Sequence, residues 1–357
     1  MDISGNLSNS FAHNLSLIDE SWDEEDESSF ITFDLNPVAK PHTGIESKRS
    51  AVLSGLSEIH QHLTTLKQQN RSTNELEALY DDHLLNTIIK AENLRHPHAP
   101  LIYLEDGLAK IAELDFDLTP LALINLENID HTVVADLRRV DGQKSVIIFD
   151  ALHHQSDFVQ YADDDLSSIP GDIKVSVFCL DQQKSSYGCK IFSLSIASKL
   201  ADIPDFMHLL HRAHVQQDAM ALAKCAGANK VHTTDNIDVY DFPSTVPPIL
   251  LKHTQSRSSL TRASVEQLSQ AINKQGQTLQ QRQQHKLVRR TEIRAVKTAR
   301  AMTHSITFSA SIEDKRIVYV ERARQYMQTA PASEVERLAD QLSRLRICGL
   351  MPAEKGI

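Results

Sequence analysis

Apolar side chains recur at intervals of three and four residues in the N-terminal part of the chain. Leu56, Ile59 and Leu63 lie on one such face, and this spacing predicts an amphipathic helix that begins near Ser47. A second, less regular helix is expected over residues 75–92, because a proline-containing stretch follows it. The first folded segment is therefore predicted to be a pair of helices.

In the centre of the chain, apolar residues recur at every second position instead of every third or fourth. Residues 131–140, 144–150 and 173–180 are short runs of alternating or β-branched apolar residues, which is typical of β-strands. Asp141 and Gly142 separate the first two runs, and this dipeptide favours the positive φ angles of a tight turn. We predict an antiparallel hairpin here.

Helical periodicity returns in the second half of the chain. Helices are expected in the apolar segment that follows Cys189 and over residues 206–224, 265–272 and 289–302. Strands in the centre with helices on both sides predict an α+β fold.

Composition narrows the class of protein. The chain has 357 residues, of which 41% are hydrophobic and 24% charged, as expected for a globular protein with a sizeable core. Apolar runs are too short for a membrane helix. The four cysteines form no CxxC pair, which argues against a structural zinc site and against a disulfide-rich scaffold.

Charge is distributed unevenly. Residues 1–44 form a polar and acidic leader, which we predict to be disordered because it has too little apolar surface to bury. It lacks the basic and apolar regions of a Sec signal peptide. Residues 282–300 contain seven Lys or Arg and one acid, which indicates a basic surface for an anionic partner.

Two residues of the predicted hairpin are candidates for catalysis. His131 opens the first strand and Asp150 closes the second, so the turn brings them close together. A carboxylate that accepts the imidazole N–H fixes the tautomer of the ring and stabilises its protonated form. A structural role for a His at a strand end is the more frequent alternative.

Cys189 lies between a polar loop and an apolar helix. A thiol at a helix N-terminus has its thiolate favoured by the helix dipole and the free N–H groups. Gln183, six residues upstream, could donate an amide N–H to an oxyanion together with the Cys189 backbone N–H. The alternative, a buried structural cysteine, is favoured for Cys179, Cys225 and Cys348.

The order His131, Asp150, Gln183, Cys189 resembles that of SUMO proteases, which have a papain-like fold. Three segments, residues 131–150, 181–200 and 247–260, resemble the signature regions of the YopJ family of bacterial Ser/Thr/Lys acetyltransferases. The resemblance covers about residues 75–330. Lys190 departs from it, because glycine is frequent in the family at that position.

The resemblance implies an activity and a mechanism. Cys189 would attack acetyl-CoA, His131 would take the thiol proton and Asp150 would orient His131. The acetyl group would then pass to Ser, Thr or Lys of host signalling proteins, with kinases among them by analogy. The leader would be a type III secretion signal, and the protein would act in the host cytosol.

The resemblance also implies an architecture. It implies a SUMO-protease-type catalytic core with a helical regulatory region built from both chain ends. The expected divisions are the leader at 1–44, N-terminal helices and catalytic core at 45–250, a regulatory region at 251–330 and a C-terminal helix or tail at 331–357.

Family members are activated by inositol hexakisphosphate (IP6), and the basic surface is a candidate site for it. Cations spaced by four, four and three residues would line one face of a helix. Lys315 and Arg316 match a basic motif of the family, and Lys48 with Arg49 could contribute. The candidate ligands from the first group are Lys286, Arg290, Arg294 and Lys297. A merely solvated basic face is the alternative.

Three further interpretations remain. Lys252, in the family tetrapeptide at residues 252–255, is a candidate for self-acetylation or for linking the regulatory and catalytic parts. No Cys or carboxylate completes a metal site with the histidines at 153–154 or at 208, 211 and 214, so no metal is expected. Nucleic acid is a poor partner for a patch without aromatics in an acidic chain.

Two other functions use the same residues. A cysteine protease acting on ubiquitin-like conjugates would share the triad and the oxyanion hole. An interaction protein with an inert triad is the non-enzymatic alternative.

Overall fold

The computed structural model describes most of the chain from Thr43 to Ile347. The described residues are 43–71, 74–105, 107–118, 121–126, 131–152, 169–185, 187–216, 222–223, 226–233, 237–242, 244–295 and 301–347. The predicted disordered leader lies outside them except for residues 43 and 44, which belong to the first helix.

Helices and strands alternate in an α+β order. The helices are α1 (Thr43–Gln68), α2 (Asn74–Arg95), α3 (Cys189–Leu200), α4 (Pro204–Val215), α5 (Arg257–Arg262), α6 (Val265–Ser269), α7 (Leu279–His285), α8 (Ser311–Thr329) and α9 (Ala332–Ile347). The strands are β1 (Leu101–Leu104), β2 (Leu121–Leu126), β3 (His131–Val140), β4 (Gln143–Asp150), β5 (Ile173–Cys179), β6 (Lys230–Thr233), β7 (Ile237–Tyr240), β8 (Leu287–Ala295) and β9 (Ala301–Ser309). Short 3-10 helices span Leu108–Glu113 and Pro248–Leu251.

Seven strands form a mixed sheet in the order β1-β2-β3-β4-β5-β7-β6. The pairs β2/β3, β3/β4 and β6/β7 are antiparallel, whereas β1/β2, β4/β5 and β5/β7 are parallel. Strands β3, β4 and β5 thus lie in the middle of the sheet, where both faces are covered. The predicted α+β fold is confirmed.

The hairpin of β3 and β4 forms as predicted. Asp141 and Gly142 have φ angles of 50° and 80°, the positive values that a tight turn between twisted strands requires. The register pairs Val134 with Phe149. Continued by one residue, it brings the start of β3 beside the end of β4.

Alternate residues of the central strands pack into two separate cores. Val134, Ile147 and Phe149 join the core under the helices, whereas Val133 and Ile148 join a second core on the opposite face. This period-two division is the reason the strands are apolar nearly throughout.

Helices from both ends of the chain form one layer. Helix α8 packs on α1 and α2, and α9 packs on the same two helices. Buried residues of all four helices belong to the core that also contains Ile191 and Phe192 of α3. The helical surface predicted from both chain ends is therefore present, and it rests directly on α3.

The prediction of a helix over residues 289–302 is wrong. Strands β8 and β9 form a separate antiparallel pair there, with Leu287 opposite Ser309. A spacing of four is also a multiple of two, so cations four residues apart share one face of a strand as they do of a helix. The β-branched residues Val288, Thr291 and Ile293 favour the strand.

Other element boundaries differ less. Helix α4 ends at Val215 and α6 at Ser269, earlier than predicted, and the short strands β1, β2, β6 and β7 were not predicted. In the part of the chain that the structure describes, no helix combines the length and apolar character needed to cross a membrane.

Candidate active site

The hairpin brings His131 and Asp150 into contact. His131 Nε2 lies 2.8 Å from Asp150 Oδ1, and the two residues are 5% and 0% exposed. They are diagonal neighbours across β3 and β4, a relation within the reach of an imidazole. The contact predicted from the turn is therefore present.

Asp150 is held by the backbone around it. Its Oδ1 also accepts a hydrogen bond of 2.9 Å from the Leu152 N–H, and its carbonyl accepts from Leu180 N at 2.7 Å. Its Oδ2 is buried without a hydrogen-bond partner among the described residues. The carboxylate is thus fixed in one orientation, with His131 as its ionisable partner.

Cys189 is the first residue of α3. Gly188 precedes it as the N-cap with φ 113° and supplies no capping side chain, so no side-chain oxygen competes for the N–H groups of the first turn. The helix is apolar and packs against β3, which aligns its N-terminus with the start of that strand. Cys189 is half-buried.

His131 and Cys189 share a hydrogen bond that shifts the pKa of both side chains. Burial alone would lower the pKa of His131, but the charge and hydrogen bond of Asp150, with a contribution from Cys189, raise it above its ordinary value. Burial alone would raise the pKa of Cys189, but His131, Lys190 and the Thr132 backbone lower it. The pair therefore favours thiolate and imidazolium, which is the activated state of a catalytic cysteine.

Gln183 lies in the loop between β5 and α3. Its backbone N–H donates to the Ala151 carbonyl at 2.9 Å, one residue beyond Asp150. Its side-chain Nε2 donates to the Ser185 carbonyl at 2.9 Å, and an amide nitrogen carries a second hydrogen. The loop thus joins Gln183 to the end of β4 and, through residues 184–188, to Cys189.

The start of α3 also contacts residues that the sequence analysis did not single out. Lys190 is buried and pairs with Asp82 of α2 at 2.5 Å. A Cβ placed on Gly188 would lie 3.4 Å from Nη2 of Arg316. Arg316 in turn pairs with Asp81 and Glu77, each at 2.9 Å. The i, i+4 spacing of Glu77 and Asp81 on an otherwise apolar helix face was the signal for this buried ion cluster.

Arg316 keeps its charge in this cluster. Burial alone would lower its pKa, but the Asp81 and Glu77 carboxylates raise it above the ordinary value. Lys315, the other residue of the predicted basic motif, is 2% exposed and lies 4.6 Å from the centre of the Tyr319 ring. Both cations of the motif are thus buried against the helical layer.

Of the other candidate IP6 ligands, two form ion pairs at the start of α8 and two have no described side chain. Lys286 pairs with Asp314 at 3.0 Å, and Arg290 forms a two-pronged pair with Glu313, one contact being 2.7 Å. Lys67 of α1 also pairs with Asp314. Arg294 lies in β8 without a described side chain, and Lys297 lies outside the described residues. The first turn of α8 therefore gathers cations from α1, from the end of α7 and from β8.

The N-terminal pair of candidates is engaged elsewhere. Lys48 forms an exposed pair with Glu336 at 3.1 Å. Arg49 donates to the carbonyls of Met327 and Ala330 at the end of α8. These residues join α1 to the C-terminal helices.

Lys252 is 5% exposed in the segment that follows the second 3-10 helix. Acetylation of its amine would require this segment to move.

Two of the histidines considered for metal binding form a different network. His211 lies 3.0 Å from Asp136 and 2.8 Å from Ser145, which also contacts His214. His153 and His154 lie outside the described residues. Within the described ranges, no group of three or more His, Cys, Asp or Glu side chains is arranged to hold a metal ion.

Known proteins share this architecture. The chain aligns with solved structures described as "AvrA delL154 with IP6, CoA" (20% identity, TM-score 0.57, 76% of this chain and 98% of that chain) and "Crystal structure of HopZ1a in complex with IP6 and CoA" (19% identity, TM-score 0.59, 80% and 98%). At such identities the likeness supports the fold. A comparison with curated protein sequences finds no match.

The family model of the YopJ Serine/Threonine acetyltransferases matches residues 56–322. The match covers the second half of α1, the whole of α2, the seven-stranded sheet, the β8/β9 pair and the first part of α8. Because it extends over well more than half of the chain, the protein belongs to the YopJ acetyltransferase family.

Proposed function

We propose that this protein transfers acetyl groups from acetyl-CoA, through a thioester on Cys189, to Ser, Thr or Lys side chains of other proteins. The observation that carries the proposal is the hydrogen-bonded chain Cys189, His131, Asp150 at the start of a helix. Family membership supports acetyl transfer as the chemistry, and the solved AvrA and HopZ1a structures named with CoA support the donor.

In the first half-reaction, the Cys189 thiolate attacks the acetyl carbonyl carbon and forms a tetrahedral oxyanion. The Cys189 backbone N–H and the Gln183 amide are the proposed donors to that oxygen. The C–S bond to CoA then breaks, and His131 protonates the departing CoA thiolate. The products are S-acetyl-Cys189 and free CoA.

In the second half-reaction, His131 is neutral and removes a proton from the acceptor hydroxyl or amine. The acceptor oxygen or nitrogen attacks the thioester carbonyl, and the Cys189 thiolate leaves. The proton remains on His131, so the thiolate and imidazolium pair is restored. Asp150 stabilises that imidazolium in both halves.

We further propose that IP6 binds the cations around the first turn of α8. Lys286 and Arg290 carry the proposal among the described residues, and Arg294, Lys297, Lys315 and Arg316 are the other candidates. Lys286 and Arg290 already bind carboxylates there, and guanidinium and ammonium groups bind phosphate by the same charge-assisted hydrogen bonds. The AvrA and HopZ1a structures are also named with IP6.

The place of action and the targets follow from the same proposal. As a member of an effector family, the protein would be delivered by a type III system into a host cell and would act on signalling proteins in its cytosol. Residues 1–44 would contain the secretion signal, and Lys252 would be a self-acetylation site after the segment has moved.

The proposal is tested with purified protein and labelled acetyl-CoA, with and without IP6. Label is expected on wild-type protein in the presence of IP6 and absent from Cys189→Ala. Cys179→Ala, which removes a fully buried thiol, is the matched control and should retain labelling. No label on wild type, together with cleavage of a ubiquitin-like conjugate, would instead establish a cysteine protease.

The activator is tested by titration calorimetry with IP6. Charge reversal at Lys286 and Arg290 should abolish binding and labelling together. Full binding by that variant would contradict the proposed position of the activator, and labelling of wild type without IP6 would contradict its role.

A further inference from the structure

The loop that contains Gln183 is held by one buried side chain that the proposed chemistry does not use. Gln255 is 3% exposed. Its Oε1 accepts hydrogen bonds from the backbone N–H groups of Lys184 at 2.9 Å and Ser185 at 3.1 Å. An amide oxygen has two lone pairs, so its accepting capacity is fully used by this loop.

The backbone of Gln255 contacts the same loop on the other side of Gln183. Its N–H donates to the Gln182 carbonyl at 2.8 Å. Gln255 therefore binds the residue before Gln183 and the residue after it. These contacts fix the backbone of Gln183 from both sides.

The side chain of Gln183 depends on the same contacts. Its Nε2 donates to the carbonyl of Ser185, whose N–H is bound to Gln255. The Ser185 hydroxyl donates to the Tyr187 carbonyl at 2.6 Å, and Tyr187 is followed by Gly188 and Cys189. Gln255 Oε1 thus holds the residue to which the Gln183 amide is bound, in addition to the contacts of the Gln183 backbone with Ala151.

We infer that Gln255 is a positioning residue for acyl transfer: it holds Gln183, through Gln182, Lys184 and Ser185, where the proposed oxyanion forms beside Cys189. The inference rests on the proposed function for the role of Gln183. Gln255 itself touches no reacting atom. Loss of Gln255 should therefore slow only the steps that form an oxyanion, since it acts through the proposed oxyanion donor Gln183. A donor displaced by about 1 Å costs on the order of 10²-fold in rate.

Two reagents separate this role from a general structural one. Iodoacetamide alkylates Cys189 by displacement of iodide at a saturated carbon, so no oxyanion forms. With p-nitrophenyl acetate, the Cys189 thiolate adds to the ester carbonyl, an oxyanion forms, and p-nitrophenolate leaves to give S-acetyl-Cys189. This ester does not involve CoA, so the test remains valid if acetyl-CoA is not the donor.

The variants are Gln255→Met, which removes the acceptor at similar volume, and Gln255→Glu, which keeps acceptor oxygens. Gln267→Met is the matched control, because Gln267 is also 3% exposed but binds Ser264 and Val246 instead of the loop. All reactions are run with IP6 present, and the modified Cys189 is quantified by mass spectrometry.

Gln255→Met should lower the rate of S-acetylation by p-nitrophenyl acetate by about 10², with the rate and pH profile of alkylation unchanged. Gln255→Glu should recover much of the loss, and Gln267→Met should behave as wild type in both reactions. Equal loss in both reactions, or no loss in either, would overturn the inference. Failure of wild type with acetyl-CoA but not with the ester would instead refute the proposed donor.

Discussion

At the scale of single residues, the site depends on how burial and charge divide protons between Cys189 and His131. Burial opposes the charged form of each group, yet each lowers the cost of charging the other, and Asp150 adds a fixed negative charge behind the ring. The result is a thiol whose charged form is favoured relative to that of an ordinary cysteine. Two predictions belong to this scale.

The first prediction concerns the pH dependence of Cys189. Because its pKa is lowered, the thiolate is present above that pKa and is lost only as the pH falls through it. Alkylation by iodoacetamide should therefore remain fast well below the ordinary thiol pKa, and His131→Ala should move the profile to higher pH. Rates are measured by mass spectrometry across the pH range. An unchanged profile in His131→Ala would contradict the pairing.

The second prediction concerns Asp150. Asp150→Asn keeps the shape of the side chain but cannot stabilise imidazolium, so acetyl transfer should fall by a factor on the order of 10²–10⁴. The measurement is single-turnover labelling by acetyl-CoA. Asp117→Asn, which alters a carboxylate in an exposed pair with Arg139, should leave the rate unchanged. Comparable losses in the two variants would argue against a special role for Asp150.

At the scale of secondary-structure elements, the site lies where one strand ends and another strand and a helix begin. β3 begins at His131, β4 ends at Asp150 and α3 begins at Cys189. A strand end and a helix start leave backbone groups unused by secondary structure, and these groups are available to the reaction. The conformation of Gly188 and the first turn of α8 are the element-scale features that can be tested.

Gly188→Ala should damage both stability and activity. At φ 113° a Cβ is strained, which costs roughly 1–2 kcal/mol, and it would come into contact with Nη2 of Arg316 at 3.4 Å. Gly142→Ala is the matched control, since Gly142 also has positive φ but open space around it. Chemical denaturation should show losses for both variants, whereas thioester formation should fall only in Gly188→Ala. Equal activities would exclude a special requirement at the start of α3.

The acids in the first turn of α8 should compete with the activator. Glu313 and Asp314 occupy Arg290 and Lys286, so the double variant Glu313→Gln/Asp314→Asn should bind IP6 more tightly, on the order of tenfold. Titration calorimetry measures the change. Glu336→Gln, which alters an exposed pair, is the control. Weaker binding by the double variant would place the activator elsewhere.

At the scale of the whole molecule, the buried ion cluster joins two distant parts of the chain. Asp81 and Glu77 come from α2, Arg316 comes from α8, and both helices lie against α3. Removing one member of a buried ion group leaves its partners charged and unpaired, which costs about 3–5 kcal/mol. An exposed pair contributes roughly 0–1 kcal/mol.

Arg316→Met should therefore lower the free energy of unfolding by about 3–5 kcal/mol, and Arg346→Met, which removes a more exposed pair with Glu58, by less than about 1 kcal/mol. Urea denaturation without IP6 measures both. Similar small losses would show that Asp81 and Glu77 find other compensation.

Sequence patterns predicted the parts of the fold that local physics determines. The β3/β4 hairpin followed from alternation and its Asp-Gly turn, and the contact of His131 with Asp150 followed from the hairpin. The error at residues 289–302 arose because spacings of four fit a helix and a strand alike. The hydrogen bonds of Gln255 with the loop around Gln183 and the pairing of Arg316 with Asp81 join residues 70 or more positions apart. No local sequence pattern encodes such contacts.

The separation between Cys189 and Arg316 has a consequence for synthesis. The triad is complete in sequence once Cys189 has been translated, but Arg316 follows 127 residues later. At about 5–20 residues per second, that interval is on the order of ten seconds. During this time the acids of α2 lack the guanidinium with which they pair in the folded protein. A product terminated between Cys189 and Arg316 therefore contains Cys189, His131 and Asp150 without the ion cluster that lies beside the start of α3.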